Sequence, residues 1–175
     1  MLESLAFALV KTLIVFMFEQ QLENAQSVRI QGAPGWYAQQ TTNHICESGL
    51  AYGRIEAIDS AKANSRQAMV RRLEGAMDSV AYERFRHTTD PAERDLIRRF
   101  SRDEQLPAFI QSAVIFENIE YREKPAAAFV RACIPKARMV AYQEERVGKL
   151  VKAVTLHRRD RGFDEMETEL GRPGN

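Results

Sequence analysis

Cysteine is scarce in this chain: Cys46 and Cys133 are the two among 175 residues. Two thiols cannot make a disulfide framework, and neither sits in a Cys-x-x-Cys pair of the kind that holds zinc or exchanges thiols. Their number leaves the redox compartment open. Histidine is almost as sparse, at His44, His87 and His157, and no set of nucleophile, base and orienting group can be assembled around such scattered imidazoles. Gly-rich phosphate loops, a Gly-x-Ser-x-Gly elbow and a His-Glu-x-x-His pattern are all missing. Charge of one sign is not in excess either, since 25 Lys+Arg face 24 Asp+Glu. No broad positive field exists to draw in nucleic acid. These absences argue against an enzyme and against a nucleic-acid partner, and they call for no cofactor and no metal.

Long hydrophobic runs are also missing, with one exception. Leu5 to Phe18 is markedly apolar, but at about 14 residues, interrupted by Lys11, it falls short of a membrane span. As a signal peptide it would have Lys11 closing the basic region and Thr12 to Phe18 as a minimal apolar core, with no good small-x-small cleavage site at Glu23-Asn24-Ala25. As an anchor it would need Lys11 to snorkel. As a buried helix it would need a large core to cover it. Export or anchoring is the favoured reading, which places the protein in the cell envelope, in the periplasm or at the outer membrane, with membrane association through Leu5 to Phe18.

What is present is a pattern of helices and short strands. Ser27 to Ile30 alternates like a strand and is broken by Gly32-Ala33-Pro34-Gly35, after which a turn carries Trp36 and Tyr37. A strand is expected from about Ile45 to Tyr52, then a helix capped by Asp59 and running to about Arg86. Its buried stripe would be Ala61, Ser65, Met69, Leu73, Ala76, Met77 and Val80. Asp90-Pro91-Ala92-Glu93 starts a second helix, to about Arg102, with Glu93 placed to close a capping box. Val114 to Tyr121 and Ala127 to Ile134 read as a hairpin across Arg122-Glu123-Lys124-Pro125. A last helix runs from Lys136 to about His157, and the charged remainder reads as a mobile tail.

The expected fold is therefore α+β: a small, mainly antiparallel three-stranded sheet packed against a long helix, with an additional C-terminal helix. The divisions would be an apolar segment and polar linker over 1–26, a single domain over 27–157 and a tail over 158–175. Val140, Val147, Leu150, Val151 and Val154 form an apolar stripe on the last helix, with a heptad step from Val140 through Val147 to Val154. This stripe either covers the open sheet face or meets a neighbouring copy; the heptad step, over too few turns for a coiled coil, tilts toward the neighbour only together with a family resemblance, and these five residues are then the expected homo-oligomer interface.

The order Gly32-Ala33-Pro34-Gly35-Trp36-Tyr37, then Gly49-Leu50-Ala51-Tyr52-Gly53, then Ala61 to Ala68 resembles the twenty-kilodalton bacterial outer-membrane lipoprotein family, which includes the flagellar basal-disk protein FlgP. Phe129 to Ile134 and the helix from Lys136 to Leu150 are similar too, so the likeness spans roughly Gly32 to Leu150. It implies a non-enzymatic structural protein of the envelope, self-assembling near the outer membrane and serving motility in several members. Envelope or flagellar motor proteins would then be its partners. The family's acylated Cys has no counterpart here, because no Cys precedes Cys46.

Other residues carry weaker signals. His44, Cys46 and Cys133 could be ligands of one zinc or a Cys/His pair. With Glu47 and Arg131 pointing outward, alternation turns Cys46 inward beside Leu50 and Cys133 outward, so free thiols are expected. Trp36 and Tyr37 read as a lid over the end of the sheet rather than a ligand platform. The arginine clusters at 71–72, 98–99 and 158–161 lie near Glu74, Asp95 and Asp160 and read as solvated helix faces. The alternative function is a periplasmic small-ligand or lipid-binding protein, with its pocket between helix and sheet and walled by Trp36 and Tyr37.

Overall fold

The structure, a computed structural model, describes residues 2–24, 30, 32–39 and 41–170. In chain order the elements are α1 (Leu2–Asn24), β1 (His44–Tyr52), α2 (Ala57–Phe85), α3 (Pro91–Ser101), α4 (Leu106–Ala113), β2 (Ile115–Glu123), β3 (Ala126–Pro135) and α5 (Lys136–Leu170). The chain is α+β, as expected. The strand proposed at Ser27 to Ile30 falls largely outside the described residues.

The sheet is antiparallel with β3 in the centre, in the order β1-β3-β2. Helix α2 lies on one of its faces, and small residues set how closely. Gly49 of β1 and Ala128, Val130 and Ala132 of β3 turn toward the helix, which presents Ala57, Ala61 and Ser65 in return, all buried. A Cβ at Gly49 would stand 2.1 Å from the Ala61 carbonyl oxygen. Backbone therefore meets backbone there, leaving no gap between helix and sheet at Gly49. The predicted α2 stripe from Ala61 to Val80 is buried throughout.

The start of α2 differs from expectation. It begins at Ala57, with Glu56 at the cap position and no side-chain cap. Successive turns, Ala57 N–H to Arg54 O at 2.8 Å and Ile58 N–H to Ile55 O at 3.1 Å, lead the chain into the helix and leave Asp59 in its first turn. At α3 the cap is as expected, since Asp90 accepts from the Ala92 N–H at 2.8 Å. Helix α4 is an addition: Leu106, Ile110 and Ala113 are buried at helical spacing, and Pro107 is tolerated because it sits in the first turn.

The principal core lies beyond one end of the sheet, where the helices meet. Ile14, Val15 and Phe18 of α1 join Met69, Leu73 and Met77 of α2 and the α5 stripe. Helix α1 lies against α5 and α2. Two expectations are corrected here. Val147, Leu150, Val151 and Val154 are buried in the chain's own core, so they offer no exposed interface, and Val140 is half-buried against it. The apolar N-terminal segment shares in covering them, together with residues of α2 and α3. Helix α5 also continues past His157 to Leu170, through residues taken for the tail.

Candidate functional site

The second face of the sheet gathers the residues with chemical potential. Glu47 faces α2, not solvent, because Arg72 of that helix meets it at 2.8 Å. This inverts the inferred parity of β1. Cys46 and Leu50 turn away from α2, onto the face that also carries Cys133, Arg131 and Phe129 of β3. Cys46 is directly opposite Cys133 with a Cα separation of 4.1 Å, and the two form a disulfide. The expectation of free thiols on opposite faces is thus corrected: one misplaced carboxylate moved the whole strand by one face.

A strap formed by residues 32–39 and 41–43 covers this face. Its Pro34-Gly35-Trp36-Tyr37 stretch is a turn, closed by the Tyr37 N–H to Pro34 O bond at 2.9 Å. Ser48 Oγ donates to Tyr37 O at 2.6 Å, Arg131 Nη2 donates to Gln39 O at 2.7 Å, and Arg122 Nη1 donates to Gly32 O. Tyr37 stands edge-on to Phe129, with ring centres 5.7 Å apart, and the Arg122 guanidinium lies over the other ring at 5.4 Å. Burial pushes the Tyr37 phenol up in pKa. The lid reading of Trp36 and Tyr37 corresponds to this strap, which lies across the face of the sheet. Arg131, expected outward, is buried beneath it.

Beside the disulfide, β2 carries an irregularity. Phe116 pairs with Ala132 and Asn118 with Arg131, so Glu117 is the extra residue of a bulge. One carboxylate oxygen of Glu117 and both sulfurs lie within 4.8 Å of one another. His44 Nδ1 is 4.0 Å from Glu117 Oε1, and Thr41 Oγ1 is 3.7 Å from Cys46 Sγ. Of the residues singled out in the sequence, Cys46 and Cys133 meet here, and His44 approaches Glu117 without joining the group of three. Glu117 was missed because nothing in a strand sequence announces a bulge whose partner residue belongs to another strand.

Away from this face, a few charged groups tie helices together. Asp90, at the start of α3, meets His157 Nε2 at 2.7 Å and Arg161 Nη1 at 3.0 Å on α5. The His157 hydrogen bond is the main cause that lowers the Asp90 carboxyl to about 2. Glu93 is buried and pairs with Arg158, which is what chiefly lowers its pKa; it also accepts from Thr88 Oγ1 at 3.1 Å, so its carboxylate serves these partners rather than a capping box. Tyr142 donates to Asp103, stacks on Phe109 at 3.9 Å, and is raised in pKa by burial above all. Arg146 meets Asp103 at 3.1 Å. His87 is exposed and accepts from Arg86 Nε at 3.0 Å. The three histidines thus have three separate settings.

No family model, curated protein or solved structure matches the chain.

Proposed function

We propose that this chain is a non-enzymatic structural domain of the cell envelope that works in an oxidising compartment and self-assembles near the outer membrane, in the manner of a flagellar basal-disk component. The Cys46–Cys133 disulfide carries the reading. Such bonds persist in the periplasm and outside the cell and are rare where glutathione and thioredoxin keep thiols reduced. Two further features support it. Asp90 and Glu93 at the start of α3 pair with His157, Arg158 and Arg161 of α5 and tie the two helices together. Close backbone contact between α2 and the sheet at Gly49 argues against a ligand cleft between that helix and the sheet.

Assembly needs a surface other than the α5 stripe. Leu9, Leu13 and Phe16 are exposed by 68%, 45% and 53% and follow one another along the outer side of α1 at steps of four and three. This is the apolar face proposed for contact with a second copy. Burial of Ile14, Val15 and Phe18 in the core supports retention of the N-terminal segment in the working protein. No helix among the described residues is long and apolar enough to cross a membrane.

The test is thiol trapping in cells. Acid quenching followed by a maleimide of high mass should find both cysteines blocked until a reductant is added, with the full chain, α1 included, in the envelope fraction. Free thiols on a cytoplasmic protein would overturn the reading.

A further inference from the structure

We propose that the reduced form of this protein binds a divalent transition metal of zinc-like softness through Cys46, Cys133 and Glu117, with His44 as the fourth donor. The juxtaposition of the first three is already present, since the two sulfurs and a Glu117 oxygen lie within 4.8 Å of one another. They come from three different strands, and a β-bulge places Glu117 there, a device commonly used to aim a side chain at a site. His44 lies outside this group of three; it is two residues from Cys46 on the same face of β1, stands 4.0 Å from Glu117, and would swing toward the sulfurs to act as a donor.

Charge explains why these groups would take a cation. Opposite the disulfide, the Glu117 carboxylate faces a neutral group. Once the sulfur–sulfur bond is cleaved, two thiols lie close to a carboxylate, a donor set that a soft divalent cation would bridge. Two thiolates, a carboxylate and an imidazole are the donor types of a four-coordinate zinc site, and thiolate ligands disfavour magnesium and calcium. Entry is from the side of Glu117 and His44, whose side chains are each about one-third exposed while the cysteines are buried.

The chemistry balances as follows. A dithiol or phosphine reductant supplies two electrons and is itself oxidised, the Cys46–Cys133 bond breaks, and each sulfur takes up a proton. Metal binding then forms two metal–sulfur bonds and releases those two protons to solvent. The inference stands apart from the compartment proposed above, which determines only whether the oxidised or the reduced form prevails.

Cobalt(II) is the probe. The full chain, reduced with a phosphine under anaerobic conditions and freed of reductant, should develop a thiolate-to-cobalt charge-transfer absorption that saturates at one metal per chain and is abolished by zinc. The oxidised chain should show none. Glu117→Gln and His44→Gln, both at partly exposed positions, should keep the circular dichroism of the parent and weaken cobalt binding by about tenfold or more. Absence of the band in the reduced chain, or parental affinity in Glu117→Gln, would overturn the proposal. If reduction alone loosens the fold, zinc should restore it; failure to do so counts against the site equally.

Discussion

At Gly49 the main chain of β1 reaches the main chain of α2 with no side chain between them, and this contact sets the spacing of the layer. An added Cβ would meet the Ala61 oxygen at 2.1 Å and the Ser65 nitrogen at 2.5 Å, atoms that cannot swing aside. Gly49→Ala should therefore destabilise the protein by about 3 kcal/mol, the upper part of the usual overpacking range. Denaturant unfolding would measure it, and a loss below about 1 kcal/mol would show that the helix can slide. Two residues away, Glu47 and Arg72 decide a larger matter. Their ion pair accompanies the facing in which Glu47 and Gly49 turn toward the helix and Cys46 lies on the strap-covered face beside Cys133.

Among the elements, α3 and α5 depend on each other through Asp90, Glu93, His157, Arg158 and Arg161. Asp90 is both the cap of α3 and the acceptor for α5. Its carboxyl is held at about 2, against an ordinary value of 3.8, so its contribution to stability is complete above roughly pH 4 and is lost as pH falls toward 2. An acid titration followed by circular dichroism should show α3 loosening in that window. Asp90→Asn should lower stability at neutral pH and flatten that part of the profile; an unchanged profile would mean that other carboxylates govern it. The charged segment after His157 earns its helical form from these bonds, since an isolated charged stretch has little to favour it.

For the whole molecule, the disulfide closes a long loop, because Cys46 and Cys133 are 87 residues apart. It joins β1 to β3 across everything between them, including α2, α3 and α4. Reduction should cost about 2–5 kcal/mol through the greater freedom of the unfolded chain. That is less than the 5–15 kcal/mol typical of a domain, so the reduced protein should remain folded at room temperature, with a lower melting temperature in calorimetry. Equal stability of oxidised and reduced protein would show that the bond constrains nothing the fold does not already hold.

Local chemistry was sufficient for much of the architecture. The α2 stripe, the Asp90-Pro91 start of α3 and the β2–β3 hairpin were legible because periodicity, capping and turn residues act within a few positions of one another. Helix α4 carried a readable i, i+4, i+7 pattern in Leu106, Ile110 and Ala113, obscured by Pro107. The site was another matter. His44, Cys46 and Cys133 could be named from the sequence, but Cys46 and Cys133 meet through the facing that β1 adopts as it packs on α2, and Glu117 joins them only through a bulge between strands. The destiny of Val147, Leu150, Val151 and Val154 was equally beyond a linear reading. An apolar stripe records that it must be covered, and only the tertiary structure determines that helices of the same chain, α1 among them, do the covering.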